Sequence, residues 1–371
     1  MEHRNIYLES TRHFLSPVLD LLDDPNVSEI LINGPKTIYF ESAGRLSRAD
    51  VSFPSESSLL AAARNIAEYV GRSLDADNHS MDARLPDGSR VHVIVPPSAR
   101  NGVCISIRKF SNDSFDLSKL IEWNSVSAEA AEFLSMCVQL HRNIVIAGGT
   151  GSGKTSLLNA LSAEIPEHER IVVIEDSSEL QLQQPHTVYL EAQPEHPDGS
   201  GKVTIRDLFV DSLRMRPDRI VVGEVRRGEA LDLVQSMISG HSGAMTTVHA
   251  TTAQDAAVRL ETLSMMSDVA LPAHVARLQV ASALHLIVCI NRQSDGTRCI
   301  ETISESLGTD ANGRYVFQDL YHLKRNFCET KNEIVGSLTA CGNRPTFTAL
   351  PAQLGLSDRV KLTTELFEKE A

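Results

Sequence analysis

Apolar positions follow two rhythms along the 371-residue chain, and the change lies near residue 110. In the first stretch, short apolar runs alternate with turn residues. Ser16-Pro17 opens a short helix that Asp23-Asp24-Pro25 closes. Ser28–Gly34 and Thr37–Glu41 read as strands joined at Asn33-Gly34-Pro35, and a second turn at Ala43-Gly44 precedes Arg45-Leu46. Leu59, Leu60, Ala63, Ile66, Ala67 and Val70 recur at helical spacing. Pro86-Asp87-Gly88 is a tight turn, and the strands Val91–Val95 and Val103–Arg108 are separated by Pro96-Pro97. Residues 1–110 therefore read as a small α+β domain, and the polar, mixed residues 111–128 as a linker.

From residue 129 to 371 strands alternate with helices. Strands are expected at Asn143–Ala147, Ile171–Ile174, Arg219–Gly223 and Leu284–Ile290. Helices are expected around Ser156–Ala163, from Glu229 to Ser239, and from Thr252, with Asp255 as its capping partner. Glu195–Gly201 reads as an exposed loop, and Gly240–Ala250 as a segment between helices. Such alternation implies an α/β fold with a mostly parallel sheet covered by helices.

Composition narrows the function classes. A net charge of −13 argues against a broad basic nucleic-acid surface. No apolar run reaches the roughly 18 residues of a membrane span, and the N-terminus lacks a signal-peptide core, so a cytoplasmic location is expected. Cys104, Cys137, Cys289, Cys299, Cys328 and Cys341 form no C-x-x-C pair, which speaks for reduced thiols and against a zinc site.

The candidate chemistry begins at Gly148, Gly149, Thr150, Gly151, Ser152, Gly153, Lys154 and Thr155, which match G-x-x-x-x-G-K-[ST]. An apolar strand precedes this run, and Ser156 continues it into a helix with Leu157, Leu158 and Leu161 on one face. A strand that feeds a glycine loop opening a helix makes an anion site from backbone N–H groups and the helix dipole. Lys154 is expected to reach the β- and γ-phosphates of ATP, and Thr155 to hold Mg²⁺.

Three further segments bear on the site. Ile171–Glu179 is a strand ending in Glu175, Asp176 and Glu179, where carboxylates can hold Mg²⁺ or orient water; a solvated acidic turn has the same composition. Leu213–Arg227 is a strand ending at Glu224, with Gly223 where an aspartate usually holds the metal, so Glu224 reads as the group that positions water. Arg214, Arg216, Arg219, Arg226 and Arg227 surround it; some are expected to stabilise transition-state charge and at least two to pair with surface carboxylates. Gly240–Ala250 carries His241 and His249, which suit γ-phosphate sensing or an ordinary structural hydrogen bond.

In this order, the phosphate loop, acidic strand end, Arg-Pro-Asp…Gly-Glu-x-Arg and Gly-His…Thr-x-His-Ala segments resemble the ATPases of type II and type IV secretion systems. Asn26–Pro35, Asp82–Arg90, Gly228–Gln235, Arg259–Met266 and Ser294–Arg298 are similar to the CpaF-type ATPases of Tad/Flp pilus assembly. The resemblance spans roughly residues 15 to 345. Thr251 stands where asparagine is usual, Ser156 where threonine is usual, and Phe327–Asn332 matches only loosely. A four-cysteine zinc module of the type II branch is missing.

The resemblance implies a RecA-like C-terminal domain, a sensory and docking N-terminal domain, and a homohexameric ring with ATP and Mg²⁺ between the domains. It implies work at the inner face of the inner membrane through a platform protein, with pilin handled indirectly; the acidic balance adds that no nucleic-acid partner is expected. Glu175, Asp176 and Glu179 match the acidic box, Glu224 the second acidic position, and His241 and His249 the histidine box. Arg84, Arg90 and Arg108 lie in segments that supply arginines to the nucleotide in such ATPases; Arg214 is a further candidate for that charge. Three rivals share parts of this pattern: a conjugation or type IV secretion ATPase, a DNA-translocating motor, and a nucleotide-gated scaffold with little turnover.

Overall fold

The computed structural model describes residues 2–42, 44–75, 77–109, 116–193, 195, 199–293, 295–328 and 333–367. Ala43, part of the Glu195–Gly201 loop, Ser294, most of Phe327–Asn332 and the start of the 111–128 segment lie outside the described residues. The chain divides into two compact units, Met1–Asp113 and Ser114–Ala371.

The first unit runs α1 (Glu2–Phe14), α2 (Leu19–Asp23), β1 (Val27–Asn33), β2 (Ile38–Ser42), β3 (Arg45–Arg48), α3 (Glu56–Tyr69), β4 (Ser80–Arg84), β5 (Arg90–Ile94) and β6 (Cys104–Arg108). Among the described residues its strands form one antiparallel sheet in the order β3-β2-β1-β6-β5-β4. Ser55 caps α3 by accepting the Ser58 N–H, while Ser58 bonds back to the Ser55 N–H. Leu59, Ala63 and Ile66 of α3 share a core with Ile30, Ile32, Val93, Ile105 and Ile107 of the sheet.

The second unit begins inside the segment expected to be linker. Residues 117–122 form α4 (Leu117–Glu122), capped by Asp116 and buried through Leu117 and Leu120. These two leucines, three apart in a polar stretch, pack one face of the helix into the core, which overrides the linker-like composition. There follow α5 (Ala128–Gln139), β7 (Ile144–Ala147), α6 (Lys154–Ser162), β8 (Ile171–Glu175), β9 (Thr187–Glu191), α7 (Ile205–Ser212), β10 (Arg219–Val222), α8 (Glu229–Ile238) and β11 (Met245–Val248). The chain continues through α9 (Ala253–Met265), α10 (Ala273–Ala283), β12 (Leu286–Arg292), β13 (Arg298–Thr309), β14 (Tyr315–Cys328) and β15 (Glu333–Ala340).

Among the described residues the second sheet has the order β15-β14-β13-β12-β7-β11-β10-β8-β9. The run from β12 to β9 is parallel, and β13 to β15 add an antiparallel wing. The central strands are buried on both faces. Along β7, Ile144 and Ile146 enter the core under α5 and α6, while Val145 and Ala147 enter the core under α8, α9 and α10. Two-sided burial is why these strands read as continuous apolar runs rather than alternating ones.

β11 corrects a second expectation, since Met245–Val248 lies within the segment read as joining two helices. It is the fully buried strand between β7 and β10. Four residues, two of them Thr246 and Thr247, give too short and too polar an apolar run to announce a central strand. No helix among the described residues is long and apolar enough to cross a membrane.

Candidate nucleotide site

Parallel order gives the sheet two unlike ends. Residues that follow β7, β8, β10 and β11 gather at one end, and residues that precede them gather at the other. The phosphate loop follows β7. Gly148 is required there, because an added Cβ would fall 2.4 Å from both the Ile290 carbonyl oxygen and Ser152 Oγ. Gly151 and Gly153 have φ of +69° and +97°, a left-handed backbone that turns successive N–H groups toward one concavity. Ser152 Oγ donates to the Gly149 carbonyl at 2.9 Å, closing the loop on itself. Lys154, buried at 8% exposure, opens α6 and donates to the Gly148 and Gly149 carbonyls at 3.1 and 3.0 Å.

The carboxylates come from the ends of the neighbouring strands. Thr155 Oγ1 donates to Glu179 Oε2 at 3.3 Å. Glu175 Oε1 accepts the N–H groups of Glu179 and Leu180 at 2.8 and 3.0 Å. Its side chain fills the space beside Gly223, where an added Cβ would lie 2.9 Å from Glu175 Cγ. Asp176 is ion-paired to Arg226. Arg226 also donates through Nε and Nη2 to Glu224 Oε2, at 2.9 and 2.6 Å. Burial lowers the Arg226 pKa, yet the hydrogen bonds and charges of Glu224 and Asp176 outweigh it and raise it overall.

His249 follows β11 and closes the group. Its Nδ1 lies 3.5 Å from Lys154 Nζ, which can only donate, so Nδ1 carries the lone pair. Its Nε2 lies 2.7 Å from Glu224 Oε1, at ion-pair distance but without hydrogen-bond alignment. Partial burial and then the Lys154 charge lower the His249 pKa below the usual histidine value, which favours the neutral ring. Lys154, His249, Glu224, Arg226 and Asp176 thus form one chain of charge and contact.

This geometry divides the expected site residues. Gly148 to Ser156, Glu175, Asp176, Glu179, Glu224 and His249 come together at one end of the sheet. Arg214 does not. It precedes β10, is 78% exposed and pairs with Asp211 at 3.9 Å, at the opposite end of the sheet. His241 precedes β11 and lies at that end too. The arginine cluster is split by β10 in the same way. Arg219 enters the far end buried against Glu169, and Arg226 emerges at the phosphate end.

Arg84, Arg90 and Arg108 lie in the first unit. Arg84 pairs across the ladder with Arg90, and Arg90 with Arg108, so the three make one row on one face of that sheet.

The residues fit a triphosphate and a cation only in part as expected. The glycine nest, the buried lysine and the helix N-terminus suit phosphate. For the cation, Thr155 and Glu179 supply adjacent oxygens, whereas Glu175 spends Oε1 on backbone N–H groups and Asp176 is held by Arg226. Glu175 and Asp176, expected to hold the metal, are engaged in this structure by backbone N–H groups and by Arg226 respectively. No cluster of three or more metal-ligating His, Cys, Asp or Glu side chains occurs among the described residues.

Arg292 and Arg298 carry no expected site role; Arg298 enters the sequence reading only as the end of the Ser294–Arg298 segment. They sit opposite each other on β12 and β13, and Arg298 Nε donates to the Gly151 carbonyl at 2.9 Å. Nothing in the spacing announces this contact, which joins residues 147 positions apart.

PtlH, a type IV secretion system protein of Bordetella pertussis, is 33% identical over 300 residues, covering 74% of this chain and 88% of PtlH. VirB11, a type IV secretion system protein of Bartonella henselae, is 34% identical over 275 residues, covering 64% of this chain and 76% of VirB11. The fold matches the DotB ATPase of Yersinia pseudotuberculosis with a TM-score of 0.56 at 17% identity, over 85% of this chain and 81% of that one. The model of the type II/IV secretion system proteins matches residues 12–325, and the chain belongs to that family.

Proposed function

We propose that this protein hydrolyses Mg-ATP as a ring-forming motor of a pilus or secretion machine. The observation that carries the reading is the loop–carboxylate arrangement. A buried Lys154 rests on phosphate-loop carbonyls, and Glu224 stands with His249 beside it. Lys154 exchanges its two carbonyl partners for phosphate oxygens, which neutralises charge that the loop N–H groups alone would leave uncompensated. Glu224 accepts from and orients the attacking water, and neutral His249 links that carboxylate to Lys154. Thr155 with Glu179 would hold Mg²⁺, which would supply charge neutralisation at the transferred phosphoryl group. The arginine row Arg84, Arg90 and Arg108 is the proposed source of further positive charge.

The finer reading is a CpaF-type ATPase of Tad/Flp pilus assembly, a homohexamer working at the cytoplasmic face of the inner membrane through a platform protein. It is supported by the N-terminal segments Asn26–Pro35 and Asp82–Arg90 and by Ser294–Arg298. A type IV secretion ATPase is the second reading, and the identity to PtlH and VirB11 favours it. The chemistry is tested with Glu224→Gln, which keeps the size and loses the charge. ATP binding is expected to persist while phosphate release falls by about 10²-fold or more. Normal turnover by that variant would remove Glu224 from the reaction. Co-purification with a pilus platform protein rather than a conjugation channel decides between the two machines.

A further inference from the structure

We propose that Arg298 is a positioning residue for the phosphate loop, setting from a remote hairpin the peptide that the phosphates approach. The inference rests on the nucleotide-site reading above and goes beyond it to a residue outside every segment that carries the chemistry.

The placement follows from strand pairing. β12 runs parallel to β7 with Cys289 beside Ala147, so Ile290 lies against Gly148 just as the loop begins. β12 then turns back into β13, and antiparallel pairing sets Arg292 directly opposite Arg298. Directly opposed residues share a face, so both arginines belong to the same side of the hairpin. Arg298 Nε donates to the Gly151 carbonyl at 2.9 Å, and its Cδ lies 3.1 Å from where a Cβ on Gly153 would stand. Arg292 Nη1 lies 3.9 Å from the corresponding point on Gly151.

A peptide unit is planar, and its C=O and N–H point to opposite sides. Holding the Gly151 carbonyl toward Arg298 therefore turns the Ser152 N–H to the other side. It donates to the Gly149 carbonyl at 3.4 Å, within the loop itself. Gly151 and Gly153 have no side chains to fix their left-handed backbone, so an outside anchor is what selects this arrangement. The anchor is charge-assisted, and its positive charge stands behind the donors rather than among them. Arg298 thereby pre-orders the anion nest without touching the substrate.

Two measurements on the full chain test this: binding of a fluorescent ADP analogue, and steady-state phosphate release. They compare wild type with Arg298→Ala and Arg298→Lys. Arg298→Ala is expected to raise Kd and KM about tenfold while kcat falls less than about threefold, because the loop must be ordered by the nucleotide itself. Arg298→Lys keeps the charge without the Nε donor and is expected to fall between the two. A Kd within about twofold of wild type for Arg298→Ala overturns the proposal. Should that variant fail to fold, an unchanged Kd in Arg298→Lys does the same. The underlying reading fails differently. Wild-type protein that binds the analogue but releases no phosphate overturns hydrolysis, and the binding comparison still decides the role of Arg298. Wild-type protein that does not bind the analogue overturns both.

Discussion

The two ends of the parallel sheet hold similar inventories and use them differently. Each end has arginines, carboxylates and histidines. At the far end Arg219, with a side chain of 0% exposure, is bound by Glu169, which His141 also approaches at 3.2 Å. Asn143 is fully buried and satisfied: its Oδ1 accepts the N–H groups of Gly243 and Ala244, and its Nδ2 donates to the Ala283 carbonyl. These groups tie the starts of β7, β10, β11 and β12 together. At the phosphate end Arg226 is half-exposed and holds two carboxylates at once. Lys154 is satisfied by carbonyls that a phosphate can replace. A charged cluster alone does not mark a site. The informative feature is whether its partners can be exchanged for a ligand.

The largest contrast is in activity. Lys154→Ala removes the cation that the proposed reaction needs, and phosphate release is expected to fall by about 10³-fold. Arg214→Ala, at the far end, is expected to leave the rate of the same protein within about twofold. Measured side by side at a concentration that permits assembly, equal activity in wild type and Lys154→Ala would break the assignment of the phosphate end. A strong loss in Arg214→Ala would show that a neighbouring copy brings the far end into play.

The second contrast is in stability. Glu169→Ala leaves Arg219 buried without its carboxylate, which costs about 3–5 kcal/mol for a pair of this kind. Burial opposes ionisation of Glu169, but its bonds to His141 and Arg219 prevail and hold its pKa at about 2. The folded-state value is depressed, so the contribution is present above the usual glutamate value and is lost as pH falls toward 2. Chemical denaturation should register the loss in Glu169→Ala at neutral pH, while nucleotide affinity stays near wild type in whatever protein remains folded. A large affinity change at full stability would mean that the two ends are coupled.

Much of this division was written in the sequence, in chain order rather than in residue type. The phosphate loop was legible because strand, loop and helix are contiguous. Glu175 and Glu224 were legible because each ends an apolar strand. The segment Leu213–Arg227 straddles β10, and Gly240–Ala250 straddles β11. Reading each as one cluster pooled residues from opposite ends of the sheet, which is how Arg214 and His241 were drawn toward the nucleotide. The buried pair Arg219–Glu169 had no signal, since its partners are 50 residues apart and share no periodicity. The antiparallel wing β13–β15 was also missed: Ser304, Glu305 and Thr339 interrupt its apolar positions, although Ile300, Ile303, Leu320, Tyr321 and Leu338 bury it in the core. The 117–122 helix went unseen because a short helix with two buried leucines looks polar until its capping residue and its core are known.

Asn143→Ala should cost less than the ion pair, about 2–3 kcal/mol, since it strands two backbone N–H groups and one carbonyl at a site with no exposure. Asn143→Asp sharpens the point. The carboxylate keeps both acceptor bonds but loses the donor to Ala283, so it should fall between wild type and alanine unless the buried charge dominates. Thermal unfolding without nucleotide separates these cases, and an alanine variant as stable as wild type would show that the far end is not a stability anchor.

The smallest contrast concerns two histidines whose pKa values are both lowered. His249 is kept neutral by partial burial and the Lys154 charge, and nucleotide changes that environment. His285 precedes β12 at the far end, where its Nδ1 accepts the Asn143 N–H at 2.9 Å, a bond that needs the neutral ring. Burial, with a smaller contribution from Arg142, pushes its pKa down to about 4. The unfolded chain takes up a proton near the ordinary value while the folded chain refuses it. Stability from this residue is therefore complete above about pH 6.5 and declines as pH falls toward 4. Between pH 7.5 and 5.5 the loss amounts to about 1–1.5 kcal/mol. His285→Gln offers an uncharged oxygen to the same N–H and should flatten that part of the stability profile, with no change in its dependence on nucleotide. Parallel profiles for wild type and His285→Gln would place the pH sensitivity elsewhere. A profile that shifted with ADP in wild type but not in Lys154→Ala would move it to the phosphate end, where His249 senses the charge that Lys154 carries.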